Sequence, residues 1–340
     1  MIKIYNSYSK KCLEVSFLSR KKDKYYYYYG IPHSHTSYSS GKGTPTEAFK
    51  YVKSKKLDYL IVTDHTSKFS NKSSNKINKW ESTTDECKKF NKCNKHFCAL
   101  CGFECGSKMF GHLNIYNTTT YFNGLIKDKE ALYKRLEGIG AIACINHPNK
   151  NVLKVQYDER LDRRINLVEI GNGAPPYKYS RYEDIVFGLL DKGWHLGIVN
   201  GQDNHKENWG DQENLTVIIS KNLRREEIME AMIDRRVYST ESKHLKMSFK
   251  INGLWMGSVI DRNKFNKLEI SIELEDKKKK IKEIQIISNN NIIIEYKKYD
   301  KKSSVKETFI KNIETEKRWY LLKVIQDGDR IAYSSPIFVE

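Results

Sequence analysis

The chain contains no run of about 18 apolar residues, the length a helix needs to cross a bilayer, so no membrane span is expected. Its first residues, MIKIYNSYSKKCLEV, lack the apolar core of about 7–15 residues that marks a secretory signal. The cytoplasm is therefore the default compartment. There is no internal repeat, and no basic stripe with interleaved aromatics stands out. The net charge is +18, but lysine is spread along the whole sequence. A small anionic substrate is the favoured partner on that ground, nucleic acid a less favoured one, and a homo-oligomer is left open. The densest basic run, Lys277 to Lys280, sits between strand-like segments and reads as a solvated hairpin.

Cysteine gives no disulfide framework. There are seven, an odd number, and Cys93, Cys98, Cys101 and Cys105 crowd into one stretch with Cys87 upstream. Cys98 and Cys101 form a CxxC, for which a structural zinc site is conceivable. They lie within an apolar run, however, where small, reduced, buried thiols are common, and that is the favoured reading.

What is present is a globular balance, with 39% hydrophobic and 30% charged residues over 340 positions. That length accommodates one large domain of about 200–250 residues and a smaller one. From Tyr25 to Thr240, β-rich runs alternate with helical ones. The strand candidates are YYYYYGIPH (25–33), DYLIVTDH (58–65), HFCALCGFE (96–104), HLNIYN (112–117), AIACINH (141–147), NLVEIGN (166–172), HLGIVNGQD (195–203) and LTVIIS (215–220). Between them, TPTEAFKYVKSKK (44–56) opens with a threonine cap and a first-turn proline. KDKEALYKRLEGIG (127–140) ends in glycine, and RREEIMEAMIDRR (224–236) has helically spaced apolar residues. This alternation predicts a largely parallel sheet or barrel. From Leu245 the texture becomes short strands without an evident helix, which predicts a β-sandwich-like domain. The expected division is an N-terminal extension (1–24), an α/β barrel (25–244) and a small all-β domain (245–340). The Ser/Asn/Lys-rich stretch from Ser67 to Asn78 reads as a loop or insertion.

Six of the nine histidines fall in or beside strand-end signals. His33 and His35 form an HxH after the first strand, Asp64 and His65 close the second, and Glu104 closes the third. His112 opens the next strand, His147 closes AIACINH, and Asp203 and His205 form a DxH after HLGIVNG. In a parallel barrel the C-terminal strand ends converge on one face, so these donors would meet in one pocket. An HxH on extended backbone puts both imidazoles on one side, because side-chain direction repeats every two residues. A glutamate there can bridge two metals about 3.5–4 Å apart. His and carboxylate donors suit divalent zinc, manganese or iron. His96, His195 and His244 do not fit the pattern and read as structural.

The motifs HSHTSYS-x-G, LDYLIVTDHT, GFE, GHLNIYNT, INHPN, EIGNG, DKGW and NGQDNH resemble the PHP (polymerase and histidinol phosphatase) superfamily, and most closely its carbaryl-hydrolase-like branch. The likeness runs from about His33 to Thr240 and extends through INGLWMGS and SSPIFVE. It implies a distorted (β/α)7 TIM-like barrel with two, or up to three, metals. In that pattern His33, His35, Glu104 and Asp203 hold one metal, and Glu104 with His112 and His147 a second. His65 and His205 face a third. Ser40 stands where the resembling pattern has aspartate, so the third site is expected to be weak or empty. The implied activity is hydrolysis by a metal-activated water, with a phosphomonoester, phosphodiester or nucleotide as substrate. The alternatives are a carbamate, amide or ester hydrolase and a nuclease. Asp203 or His205 would orient the water or carry protons, and Glu104 and Asp64 complete the expected catalytic set, Asp64 through an outer contact. Glu169, Asn172 and one of Arg235 and Arg236, with Arg236 preferred, are candidates for contacting substrate.

Overall fold

The computed structural model describes residues 24–69, 78–316 and 318–340. The expected N-terminal extension, apart from Lys24, and the centre of the Ser67–Asn78 loop lie outside the described residues. The chain forms a mixed α/β structure with several sheets and few helices. Its first part runs β1 (Tyr26–Ile31), α1 (Pro45–Ser54), β2 (Tyr59–Val62), α2 (Lys79–Cys93), β3 (Cys98–Cys101), β4 (Phe103–Ser107), β5 (Gly111–Tyr116), α3 (Lys129–Gly138), β6 (Ile142–Ile145), α4 (Glu159–Asp162), β7 (Ile165–Asn172), β8 (Ser180–Arg181), α5 (Glu183–Asp191), β9 (Gly197–Gly201), β10 (Leu215–Ser220), α6 (Arg225–Ile233) and β11 (Val237–Thr240). The threonine cap expected for α1 is present: Glu47 N–H donates to Thr44 Oγ1, and Thr44 N–H donates back to the Glu47 carboxylate.

The expected seven-stranded barrel is not what these strands make. They lie in two sheets that do not close. One contains the run β11-β10-β1-β2-β3, and the other the run β4-β5-β6-β7, with β9 beside β7. The stretch read as a single strand, HFCALCGFE, is cut at Gly102, where the chain passes from one sheet to the other. A Cβ at Gly102 would sit 2.4 Å from the Ile115 carbonyl, so only glycine allows this close crossing. The parallel expectation holds for β1-β2-β3 and for β6-β7-β9, but β1 pairs antiparallel with β10, and β4-β5-β6 form an antiparallel meander.

The sheets face one another across a shared apolar layer. Tyr59 and Ile61 of β2 and Cys98 and Leu100 of β3 meet Tyr116, Ile142, Cys144, Leu167 and Val199 there. The alternate residues Leu60, Val62 and Ala99 point outward against Ala48, Phe49 and Val52 of α1 and Phe90 of α2. Burial on both faces explains why β2 reads as an unbroken apolar run. Among the described residues, backbone bonds stitch the sheets together at one end. Asp203 N–H donates to the His33 carbonyl (3.0 Å), His35 N–H to that of Asn204 (3.0 Å) and Glu104 N–H to that of Asp64 (3.2 Å).

The remaining strands are β12 (Lys246–Ile251), β13 (Leu254–Trp255), β14 (Val259–Ile260), β15 (Lys267–Glu275), β16 (Ile281–Ser288), β17 (Ile292–Lys302), β18 (Ser304–Asn312), β19 (Trp319–Gln326), β20 (Arg330–Ser334) and β21 (Ile337–Val339). No α-helix interrupts them among the described residues, as expected. The strands β13-β12-β15-β18 form a small sheet. It packs through Met247, Phe249, Ile270 and Ile272 on Ile284, Ile286, Leu322 and Val324 of the facing layer. That facing layer is the large sheet itself, because β20 pairs with β11. The all-β part is thus hydrogen-bonded edge to edge onto the first part.

His195 ties this arrangement to the last residue. Burial alone would lower its pKa, but bonds from Nδ1 to Asp162 Oδ2 (2.7 Å) and from Nε2 to Glu340 Oε1 (2.9 Å) outweigh it and push it up to about 9. A folded-state value above the ordinary one stabilises fully below about 6.5, and that contribution is lost as pH rises through about 9. His195→Gln is therefore expected to cost about 1–2 kcal/mol in urea melts near pH 6 and much less near pH 10. An equal cost at both would show that the imidazolium charge contributes nothing.

Candidate metal centre

The stitched ends of the two sheets carry the strand-end histidines. His33 and His35 follow β1, His65 follows β2, His147 follows β6, and Asp203 and His205 follow β9. Glu104 is the second residue of β4, just past the crossing at Gly102, rather than the end of a strand. His112, second in β5, lies beside the end of β6, where Asn146 N–H donates to its carbonyl (3.1 Å).

Five imidazoles surround one buried carboxylate, that of Glu104. His65 Nδ1 lies 2.9 Å from Glu104 Oε2 and His35 Nε2 3.3 Å from it. His112 Nδ1 is 3.1 Å from Oε1, and His33 Nε2 and His147 Nε2 are each 3.6 Å from it. Asp203 Oδ1 approaches His35 Nε2 (3.0 Å) and His33 Nε2 (3.4 Å). Three sets have donor atoms close enough to share an ion: His33–His35–Glu104, Glu104–His112–His147, and His35–His65–His205. The first set is sealed from solvent, whereas His112 is 47% exposed and His65 26%. The centre therefore has a closed floor and an open mouth.

The electrostatics fit a cation site. Burial works against charge at His35 and His147, yet Asp203 and Glu104 push His35 up to about 10, and Glu104 and Glu169 push His147 up to about 9. Burial would raise Glu104, but the imidazoles, His33 foremost, hold it well below the carboxylate range, and His33 and His35 likewise hold Asp203 down. The His33 and His35 Nε2 atoms stand 3.3 Å apart facing the same carboxylates, an arrangement that a shared cation satisfies. His147 and Asp203 both have left-handed backbone (φ 28° and 51°), which non-glycine residues adopt at a cost. Hydrogen bonds hold them there: His147 N–H to Glu169 Oε2 (2.6 Å) and Asp203 N–H to the His33 carbonyl.

The other sequence candidates fall elsewhere. Asp64 is buried and accepts from Thr36 N–H (2.8 Å), the Thr36 hydroxyl and the Ser39 hydroxyl, so it clamps the loop that follows the HxH. Glu169 and Asn172, expected to touch substrate, lie buried beneath the histidines. His33 Nδ1 donates to Glu169 Oε1 (2.8 Å), and Asn172 Nδ2 donates to Oε2 (2.8 Å). Arg236 does not reach the centre. It pairs with Asp234 (2.7 Å) and Glu230 (3.8 Å) and covers the Tyr25 ring. Tyr25 precedes β1 and His33 follows it, eight residues and roughly 25 Å apart on an extended chain. Arg235 is half-buried and donates to the Gly257 carbonyl (3.0 Å). Ser40 is exposed on its loop, while Ser39 contacts His35 Nδ1 (3.3 Å). Three contributors were not foreseen. Asn146 Nδ2 donates to Glu104 Oε1 (2.9 Å), and the Trp209 indole donates to the His35 carbonyl (3.1 Å). Tyr177 sets its exposed ring edge-to-face on His205, with centroids 5.3 Å apart. Asn146 adjoins His147 within INH, the one signal that pointed to it.

No family model matches the chain, and no curated protein does. Among solved structures, a Bacteroides vulgatus two-domain protein, described as containing a predicted PHP-like metal-dependent phosphoesterase, shares the fold at a TM-score of 0.54 and 14% identity, with 88% of this chain and 90% of that one covered. A candidate metal-dependent phosphoesterase from Bifidobacterium adolescentis (TM-score 0.38, 13% identity, 61% of this chain and 95% of that one) and an amidohydrolase from Chromobacterium violaceum (0.32, 14%, 52% and 88%) also match. Among the described residues no helix is long and apolar enough to cross a membrane.

Proposed function

We propose that the protein is a metal-dependent hydrolase of the PHP type, acting as a phosphoesterase on a small anionic ester. The observation that carries this reading is the buried Glu104 carboxylate met by five imidazoles from four separate segments. His33, His35, Glu104 and Asp203 would hold one divalent cation and Glu104, His112 and His147 a second. His35, His65 and His205 face a third position. Manganese, zinc and iron all suit these donors. Bound cations supply Lewis acidity, which polarises the scissile ester and makes water a better nucleophile. The protein's own groups set the rest. Glu169 accepts a hydrogen bond from His33 Nδ1–H, which leaves the Nε2 lone pair turned towards the carboxylates. His205 Nδ1 donates to the Asp203 carbonyl (2.9 Å), which leaves Nε2 to hold or release a proton. Burial and the His35 charge keep His205 below the ordinary imidazole range, which favours its neutral form. The net charge of +18 favours an anionic substrate.

The test is metal content followed by turnover of a phosphomonoester, a phosphodiester and an aryl carbamate in added manganese. Bound metal with phosphate turnover supports the reading, and carbamate turnover alone would move the assignment to carbonyl hydrolysis. Failure to bind any metal would remove it. Ser40→Asp is expected to tighten metal binding at the His35–His65–His205 position and to raise the bound stoichiometry. An unchanged stoichiometry would mean that residue 40 does not reach that corner.

A further inference from the structure

The CxxC of the sequence does not act as a unit. Cys98 and Cys101 are three apart on β3, and odd spacing on a strand sends side chains to opposite faces. Cys98 joins the layer between the sheets, whereas Cys101 packs on the outer face. There its thiol lies 3.8 Å from the Thr84 hydroxyl on α2, and Cys87 follows one helical turn along on the buried face of that helix. Cys87 is buried and Cys101 only partly so, and neither is in a disulfide. Cys93, at the end of α2, is exposed.

We propose that Cys87 and Cys101 are a peroxide-oxidisable thiol pair that closes to an intramolecular disulfide. Exposure divides the labour, because solvent reaches Cys101 while Cys87 is sealed. The neighbouring Cys87 thiol, the Thr84 hydroxyl and the charges of Arg225 and Lys88 draw the Cys101 thiol pKa down despite burial. Burial pushes Cys87 well above the ordinary thiol range, so it stays protonated. The Cys101 thiolate attacks hydrogen peroxide, the O–O bond breaks, and sulfenic acid and hydroxide form. The Cys87 sulfur then attacks the sulfenic sulfur, the S–OH bond breaks, and the Cys87 proton leaves with the hydroxyl as water. The sum is two thiols and one peroxide giving one disulfide and two waters. The bond would staple α2 to the end of β3, three residues before Glu104 and directly before the crossing at Gly102. It does not depend on what the metal centre does.

The experiment treats the full chain with hydrogen peroxide, blocks free thiols under denaturing conditions and maps the peptides. The expected result is a loss of two of the seven thiols, one Cys87–Cys101 linked peptide, and full reversal by dithiothreitol. In Cys87→Ser, Cys101 should stop at sulfenic acid, trapped by dimedone. In Cys101→Ser, Cys87 should remain a free thiol. Cys87→Ala serves as a second variant, and thermal melting checks that each is folded. The proposal is overturned if the wild type keeps all its thiols, if the linked peptide joins Cys101 to Cys93 or two chains together, or if Cys87→Ser loses the same two thiols as the wild type.

Discussion

Glu104→Gln is expected to abolish hydrolysis and to remove at least one bound metal. The two side chains are nearly the same size, so packing around β4 should survive and the change reads out charge alone. Among the described residues, Glu104 is the only carboxylate that faces all of His33, His35, His65, His112 and His147. Its Oε1 also accepts from Asn146 Nδ2, so one edge of the carboxylate is already fixed. An amide in its place has one acceptor oxygen and no charge. Its NH2 would be turned either on Asn146, itself a donor there, or into the space where the imidazole lone pairs converge. The neighbouring carboxylate, Asp203, reaches only the His33–His35 side and the His205 ring. It cannot take over at His112 and His147. The loss should therefore exceed the roughly 10–100-fold change that follows when only an outer partner of a ligand is removed. Metal analysis and turnover of a phosphate ester check it together. Normal turnover in the variant would exclude a centre organised on Glu104.

The donors were legible because strands end where apolar runs end, and histidines and acids placed there have few structural reasons to recur. His33, His35, His65, His147, Asp203 and His205 were all placed on that logic, and all lie at one end of the sheets. The architecture was not legible in the same way. Whether two sheets close into a barrel depends on which edges pair. β11 meets β20 through Tyr238 and Ser334, almost a hundred positions apart, and no local pattern encodes that choice. The crossing at Gly102 was hidden because strand patterning continues on both sides of it. The helix α2 was missed because KWESTTDECKKFNKC is mostly polar. Its buried Trp80, Thr83, Cys87 and Phe90 nonetheless recur at helical intervals, so the signal was there but sparse. Arg236 was misplaced for another reason: a basic residue near a strand end looks the same whichever end it is. It sits where β11 starts, and only the antiparallel order of β1, β10 and β11 shows that this is the far side from the histidines.

Glu169 is where sequence and structure lead to different experiments. A glutamate near a strand end beside a candidate site reads as a substrate contact, and such a role predicts a raised KM with metal affinity unchanged. The geometry predicts the reverse. Both carboxylate oxygens are occupied by three donors: His33 Nδ1, the His147 backbone N–H and Asn172 Nδ2. The first fixes the ring that offers Nε2 to the centre, and the second holds His147 in its left-handed backbone. Glu169→Gln has one acceptor oxygen for these donors, so either the His33 ring or the His147 backbone loses its partner. Metal affinity is expected to fall roughly 10–100-fold. Saturating metal should restore most of kcat, because no group that touches substrate has changed. Gly201 gives an independent check. A Cβ there would lie 1.9 Å from Glu169 Oε1, so Gly201→Ala must push the carboxylate off His33 without altering its charge. It should reproduce the fall in metal affinity and cost about 1–3 kcal/mol of stability from overpacking. Titration of metal into both variants, with KM measured at saturating metal, separates the roles. If KM rises and metal binding does not change, Glu169 contacts substrate and the positioning role is wrong.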